Sequence, residues 1–319
     1  MNVNKYFKIG LFAAATFLFA LISEAQSPVT LYMIQGDSTK NIISLWMTKN
    51  PAKGIVTILP PYGGNHTYYG KSKLIPYLLK NDIAFATIYS GPTGYHTDAE
   101  IMCLDSMICH LIKNYKIPLD KVILGGFSAG GFGALKYAML KKSGKIQLGV
   151  TPLGLFSVDA PLDLERWYNG LELVLSRVDS TNLMYGEASY LTWMFKDMYK
   201  GTPKENRTAY QENSVVSIFE REGGNAKYLK DYPIRLYTEP DINWYIKNVN
   251  ADYLSLNAID QAALINILKL AGNKDASLIT TTGKGYRAEF NNARMPHSWS
   301  IVDETELGKW IVGLVIKNE

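Results

Sequence analysis

The sequence predicts a three-layer α/β/α sandwich with a mostly parallel sheet, an N-terminal antiparallel hairpin and a helical cap insertion. Three observations predict it. Continuous apolar runs, typical of strands buried on both faces, alternate along the chain with segments of helical periodicity. Two strand-like segments joined by turn residues precede this alternation. An aromatic-rich stretch at about residues 161–232 then interrupts it, as an insertion over the sheet would.

The elements follow in order. Val29–Gln35 and Ile42–Thr48 are predicted to pair as a hairpin, because the turn-forming residues GDSTKN separate them. The predicted strands of the parallel sheet are Gly54–Leu59, Ile83–Tyr89, Lys121–Gly125, one within Gln147–Val158, Ile234–Thr238 and Ser277–Thr282. The predicted helices are about 68–80, 99–115, the segment after Ser128, 251–271 and Glu304–Ile316. We therefore expect a single domain over residues 26–319.

The first 25 residues resemble a secretory signal peptide. Two lysines precede an apolar run of about 14 residues, which is shorter than the roughly 20 needed to span a membrane. Ser23 and Ala25 suit cleavage after Ala25. We expect a secreted or periplasmic protein with no stable membrane insertion after cleavage; the alternative is an uncleaved anchor.

Charge and cysteine content narrow the function classes. The chain has 33 basic and 29 acidic residues and a formal charge of +4, without a dense basic block, so no nucleic-acid partner is predicted.

Cys103 and Cys109 lie six positions apart in a predicted helix. Their Cα atoms would be about 9 Å apart, too far for a disulfide, so buried free thiols are expected.

The most informative stretch is VILGGFSAGGFGALKYAM, in which an apolar run meets a serine among glycines and then a helical segment. Gly126, Ser128 and Gly130 fit the G-x-S-x-G pattern of a sharp strand-to-helix turn that exposes a nucleophilic hydroxyl. The alternative is a glycine-rich turn that serves only helix packing. A phosphate-binding loop does not fit, because its lysine is absent.

A serine nucleophile needs a base and an orienting carboxylate. Of the four histidines, His66, His96, His110 and His297, only His297 lies between the last predicted strand and the last helix, where a loop can reach the serine. Asp241, after the Ile234–Thr238 strand, is the predicted acid. Glu239 and Asp159 are less favoured alternatives, and the competing role for Asp241 is to cap the helix that follows.

Backbone amides are predicted to stabilise the oxyanion. One is that of Ala129, and the other lies in the loop PPYGGN, at Gly63 or Gly64. The alternative is that this glycine pair only makes the turn.

The sequence resembles the α/β-hydrolase fold over about residues 29–316. The resemblance lies in the order Ser128, Asp241, His297 and in the segments GGFSAGG and PPYGGN. The segment KIPLDKVILGGFSAGGFGAL is most similar to the esterase-D and prolyl-oligopeptidase-like branches. The loop PPYGGN differs from the His-Gly-Gly-Gly loop of lipases. The resemblance implies acyl transfer by a Ser-His-Asp triad, with no metal or organic cofactor.

The predicted function is hydrolysis of a carboxylic ester, with a small-molecule or oligosaccharide ester as substrate. The alternatives are a peptidase or amidase of the same fold and a noncatalytic relative that binds a glycan or a partner. Trp244 and Tyr245 are candidates for shaping the pocket. The aromatic residues of the insertion line that pocket or form the insertion's own core; they are Trp167, Tyr168, Tyr185, Tyr190, Trp193, Phe195 and Tyr199.

Overall fold

The computed structural model describes residues 27–92, 94–95 and 97–316. The predicted signal peptide and His96 lie outside these residues. Within them, no helix combines the length and the apolar character needed to cross a membrane. Cys103 and Cys109 are free thiols, and both are half-buried rather than buried as expected.

An eight-stranded sheet forms the centre of the molecule, in the order β1-β2-β4-β3-β5-β6-β7-β8. Its strands are β1 (Val29–Tyr32), β2 (Ile42–Trp46), β3 (Gly54–Leu59), β4 (Ile83–Tyr89), β5 (Val122–Phe127), β6 (Gly154–Val158), β7 (Ile234–Thr238) and β8 (Ala276–Thr280). The hairpin β1-β2 and the β2-β4 pair are antiparallel, and the remaining pairs are parallel. The predicted mostly parallel sheet with an antiparallel N-terminal edge is confirmed.

Helices cover both faces of this sheet. They are α1 (Leu74–Lys80), α2 (Asp98–Tyr115), α3 (Ala129–Ser143), α4 (Leu164–Arg177), α5 (Leu183–Tyr199), α6 (Arg207–Asn213), α7 (Ile242–Val249), α8 (Ala258–Leu270) and α9 (Glu304–Ile316). The buried residues of α2, α3 and α8 belong to one apolar cluster, and those of α1 and α9 to a second. Successive β3 side chains alternate between the two clusters, as a strand with two covered faces requires: Ile55 lies in the first and Val56 in the second. The three layers are therefore present.

The insertion between β6 and β7 carries α4, α5 and α6. It is tied to the rest of the molecule by a buried ion pair, in which Arg166 on α4 donates to both carboxylate oxygens of Asp260 on α8. Asp260 also accepts hydrogen bonds from the backbone amides of Leu162 and Asp163. Because all four donors surround one fully buried carboxylate, the start of the insertion is fixed against α8.

One small element was not predicted. Between β8 and α9 the chain forms a hairpin of two-residue strands, β9 (Tyr286–Arg287) and β10 (Ala293–Arg294). The loop that carries His297 leaves this hairpin directly after β10, so the hairpin sets where the imidazole can reach.

Candidate active site

Ser128 lies at the sharp turn between β5 and α3, with φ 54° and ψ −122°. This is a strained backbone conformation for a residue with a side chain. Close packing explains the flanking glycines. A Cβ atom at Gly126 would lie 2.3 Å from the Gly130 carbonyl carbon, and one at Gly130 would lie 2.0 Å from the Leu59 carbonyl oxygen. Any larger residue would force the helix off the strand, so the predicted tight turn is present.

His297 lies within hydrogen-bond distance of that serine. Its Nε2 atom is 3.0 Å from Ser128 Oγ. The imidazole lies against the Phe127 ring, with centroids 4.8 Å apart, and the His297 carbonyl accepts a hydrogen bond of 2.8 Å from Arg287 Nε. Contacts from β5 and from β9 thus hold the ring at the serine, as expected from the position of His297 in the chain.

Asp159 is the carboxylate that contacts the imidazole. Its Oδ2 atom is 2.6 Å from His297 Nδ1, and its Oδ1 atom accepts a hydrogen bond of 2.7 Å from Thr238 Oγ1. The Asp159 amide donates to the Tyr237 carbonyl at 2.7 Å. A carboxylate held in this way favours a proton on Nδ1, which leaves Nε2 free to accept the serine proton.

The prediction that Asp241 orients His297 is wrong. Its Oδ1 atom accepts a hydrogen bond of 3.1 Å from the Trp244 amide and so caps the N-terminus of α7. Its Oδ2 atom pairs with Arg294 Nη2 at 2.8 Å. Both carboxylate oxygens are therefore used away from the imidazole, and Asp159, at the end of the neighbouring strand, takes the expected position.

Glu239, the other alternative, anchors the chain that leads to His297. Its buried carboxylate pairs with Arg294 and accepts hydrogen bonds from Thr281 Oγ1 at 2.8 Å and from the amides of Lys284 and Gly285 at 2.9 and 3.3 Å. It therefore fixes both the loop after β8 and the end of the β9-β10 hairpin. Of the other histidines, His66 contacts Ser44 Oγ at 2.7 Å, and His110 lies on α2.

In the loop after β3, one of the two predicted oxyanion donors is already engaged. The Gly64 amide donates to the Pro61 carbonyl at 2.9 Å, so it is not available to an oxyanion. Pro61 and Tyr62 line the cavity that contains Ser128, and both also border, with Gly63 and Gly64, a narrow crevice beside Tyr89. Since Pro60 and Pro61 have no amide hydrogen, the first backbone donor after β3 belongs to Tyr62.

A cavity of about 230 Å³ opens at Ser128 and His297. Its apolar wall comes from the insertion and from the segment after β7, and consists of Pro161, Trp167, Leu171, Val174, Met184, Trp244, Tyr245, Val249, Ala251 and Leu256. The charged residues on its lining are Glu187 and Arg287. The cavity exceeds the roughly 150 Å³ of an engineered apolar cavity that binds benzene, so it has room for a substantial apolar group.

The lining confirms part of the sequence interpretation. Trp244 and Tyr245 shape the cavity as expected. Burial raises the pKa of the Tyr245 hydroxyl well above its usual value, and the neighbouring Asp159 carboxylate adds to this shift, so Tyr245 stays a neutral donor beside the site. Arg287 and Arg294 were missed, because an arginine in a two-residue strand gives no periodic signal.

The aromatic residues of the insertion lie in different environments: Tyr190 and Trp193 are exposed, and Tyr185 is half-buried. Trp167 lines the cavity. Tyr168, Phe195 and Tyr199 are buried and pack around Tyr210, so they form the insertion's own core. Among the described residues, no group of three or more histidine, cysteine or acidic side chains is placed to hold a metal ion.

Neither a family model nor a curated protein matches the chain. Solved structures do. A truncated carbohydrate esterase from gut microbiota has a TM-score of 0.59 at 15% identity, covering 92% of this chain and 98% of its own. Esterase B from Lactobacillus rhamnosis has a TM-score of 0.57 at 13% identity, covering 91% and 86%. Carboxyl esterase 2 from the mycorrhizal fungus Tuber melanosporum has a TM-score of 0.55 at 14% identity, covering 92% and 89%.

At these identities the similarity establishes the fold. The esterase-D or prolyl-oligopeptidase-like branch stays a prediction. Three findings lead to one assignment: the order of the eight strands, the turn at Ser128 and the esterase structures that share the architecture. This chain has the α/β-hydrolase fold.

Proposed function

We propose that the protein hydrolyses a carboxylic ester through an acyl-enzyme formed on Ser128. The observation that carries this proposal is the continuous chain of contacts from Ser128 Oγ to His297 Nε2 and from His297 Nδ1 to Asp159, at 3.0 and 2.6 Å. A hydroxyl, an imidazole and a carboxylate in this sequence supply a nucleophile, its base and the group that orients the base.

In the first step His297 accepts the Ser128 proton while the serine oxygen attacks the ester carbonyl carbon. The resulting imidazolium is stabilised by Asp159, and it returns the proton to the leaving alcohol when the tetrahedral intermediate collapses. In the second step His297 removes a proton from water, which attacks the acyl-enzyme and releases the acid and the free serine.

Two backbone amides are assigned to the oxyanion. Ala129 is the first residue of α3, so its amide has no partner within the helix, and it directly follows the nucleophile. We assign Tyr62 as the second donor, because its amide is the first after Pro60 and Pro61 and the residue lines the cavity that contains Ser128. A single donor of this kind contributes on the order of 3 kcal/mol to lowering the barrier.

The lining of the cavity supports an ester with an apolar acyl group. Most of its lining residues offer aliphatic or aromatic surface, which favours an acyl group over a charged peptide segment. The three structural neighbours described above are esterases by name, which agrees with this choice. Hydrolysis of an amide or peptide by the same residues is the second candidate.

A fluorophosphonate probe tests the nucleophile. We expect it to label the wild-type protein and to leave Ser128→Ala unlabelled, with the folded state of the variant verified by circular dichroism. Hydrolysis of p-nitrophenyl esters by the wild-type protein, without cleavage of the matching p-nitroanilides, identifies an esterase. Equal labelling of both proteins would disprove the assignment of Ser128, and faster cleavage of anilides would favour an amidase.

We also propose that the enzyme acts outside the cytoplasm, on the basis of the sequence of residues 1–25. Expression of the full-length chain in a bacterial host, followed by fractionation and N-terminal sequencing, tests this. A mature N-terminus at Gln26 in the periplasm or medium is the expected result, and an intact cytoplasmic chain would contradict it.

A further inference from the structure

Three exposed aromatic rings form a continuous row beside the cavity. The Tyr62 ring stacks on Tyr190, with centroids 5.9 Å apart and planes 29° apart, and Tyr190 contacts Trp193 at 5.9 Å. The exposed fractions of these side chains are 41%, 40% and 63%. We call Tyr62, Tyr190 and Trp193 the aromatic row.

The aromatic row is not part of the core of the insertion. Tyr190 and Trp193 are three positions apart on α5 and therefore lie on one face of that helix. The residues beside them, Leu191, Met194 and Phe195, are buried. A soluble protein usually buries its tryptophan side chains to a high degree, so an indole more than half exposed and in contact with a second exposed ring indicates a binding surface.

The aromatic row begins at the cavity. Tyr62 lines the cavity together with Ser128, and so does Glu187, which lies one helical turn before Tyr190. Partial burial raises the pKa of Tyr62, with smaller contributions from Tyr190 and Glu187, as expected when these groups lie close to one another. The row therefore leads outward from the reacting serine, and two hydroxyls and a carboxylate border it.

The direction of the row determines which half of the substrate contacts it. An acyl group held in the apolar cavity places its carbonyl carbon at Ser128, and the alcohol half of the ester then projects to the outside. The cavity is lined mainly by apolar side chains, whereas the row, which shares Tyr62 with the cavity lining, combines ring faces with polar groups. The two surfaces are thus suited to two chemically different halves of one ester.

Pyranose rings match the chemistry of this second surface. A sugar ring presents C–H bonds on its faces, which lie favourably on the electron-rich face of an aromatic ring, and hydroxyls at its edge, which bond to polar groups nearby. A lipid alcohol has no hydroxyls along its chain to bond to Tyr62, Tyr190 or Glu187, although it would cover them from water. We propose that the aromatic row binds the sugar residues of an acylated oligosaccharide whose ester bond is cleaved at Ser128; this rests on the proposed function.

Two esters with the same acyl group test the proposal: butyrylated xylotriose and p-nitrophenyl butyrate. The quantity measured is the ratio of kcat/KM for the first ester to kcat/KM for the second. We expect Trp193→Ala to lower this ratio about tenfold, which corresponds to about 1.4 kcal/mol of lost binding in the transition state. Trp193→Phe is expected to restore part of the ratio, because it keeps an aromatic face.

Phe219→Ala is the matched control, since Phe219 is 71% exposed and belongs to the same insertion. It is expected to leave the ratio unchanged. An equal ratio in the wild-type protein and Trp193→Ala would overturn the proposal. So would a concentration-dependent dimer that Trp193→Ala abolishes without changing the ratio, since the row would then contact a second copy of the chain.

A binding measurement separates this proposal from the assignment of the catalytic residues. Ser128→Ala is titrated calorimetrically with unacylated xylotriose and cellotriose, with and without Trp193→Ala. Binding that disappears with Trp193→Ala supports the aromatic row even if the wild-type protein hydrolyses neither ester. Absence of binding to both trisaccharides, together with an unchanged ratio in the kinetic assay, would refute it.

Discussion

Asp159 combines a specific backbone conformation with several polar contacts. It has φ 44°, which is uncommon for a residue with a side chain, and it follows the last residue of β6 directly. Thr238 Oγ1, the Tyr237 carbonyl and the His297 imidazole each contact it, and only 4% of its surface is exposed. Because β7 supplies two of these contacts, the position of the carboxylate depends on the sheet rather than on a mobile loop.

The first prediction compares the two aspartates. Asp159→Asn presents an amide to His297 and favours the wrong imidazole tautomer, so kcat should fall by about 10³–10⁴-fold. Asp241→Asn keeps a side chain that caps α7, so kcat for the same ester should stay within about threefold of the wild-type value. Steady-state kinetics on p-nitrophenyl butyrate check both. A loss in Asp241→Asn as large as that in Asp159→Asn would restore Asp241 as the acid.

The first turn of α4 carries a second buried carboxylate of interest, Asp163. It caps the helix by accepting from the Arg166 amide at 3.0 Å, and its other oxygen accepts from the Ile218 amide at 2.8 Å. Burial, and then the neighbouring Asp260, raise its pKa to about 6. The folded protein therefore holds a proton on this carboxyl over a pH range in which the unfolded chain has released it.

The contribution of Asp163 to the unfolding free energy should accordingly fall as the pH rises from about 4 to about 6, and it should stay constant above that range. In Asp163→Asn this contribution is absent, since the amide does not titrate. The unfolding free energy of the wild-type protein, measured relative to Asp163→Asn by urea denaturation, should decrease between pH 4 and pH 7 by on the order of 2–3 kcal/mol. Parallel pH curves for the two proteins would show that Asp163 does not titrate in this range.

The sheet was predictable because its strands have a simple signature. Three strands begin and end where the apolar runs of the sequence do, because both faces of these strands are covered. They are Gly54–Leu59, Ile83–Tyr89 and Ile234–Thr238. Helix α1 begins only at Leu74, six residues later than predicted, because the chain from Tyr68 onward forms turns. The β9-β10 hairpin was missed because two-residue strands have no period.

The site was predictable in part. The chain order of strands, turn and last helix brings Ser128 and His297 to one edge of the sheet. It does not choose between Asp159 and Asp241, because β6 and β7 are neighbouring parallel strands whose ends lie about 5 Å apart. The choice depends on Arg294, which pairs with Asp241 from a hairpin that the sequence does not reveal.

Across the whole molecule, the cavity is built by residues far apart in the chain, and its size should select the acyl group. Val174 is 5% exposed and lines the cavity from α4. In Val174→Phe the larger side chain occupies space needed by a long acyl chain. We expect kcat/KM for p-nitrophenyl hexanoate to fall about tenfold or more and that for the acetate to change by less than about threefold.

Val174→Ala is the matched control for this prediction. It enlarges the cavity, so the preference for hexanoate over acetate should not decrease. Thermal unfolding of both variants separates a change of selectivity from a loss of folded protein. A parallel fall for both esters in Val174→Phe would place the acyl group elsewhere.

The position of the insertion has a consequence for how such enzymes diverge. Ser128 and Asp159 precede residues 161–232 and His297 follows them, so none of these three residues is encoded in the segment that supplies part of the cavity wall and two rings of the aromatic row. Substitutions, or even a length change, in that segment alter what is recognised while the strand ends that carry the chemistry keep their sequence. Changes confined to this one contiguous segment can therefore alter the proposed substrate preference without changing Ser128, Asp159 or His297.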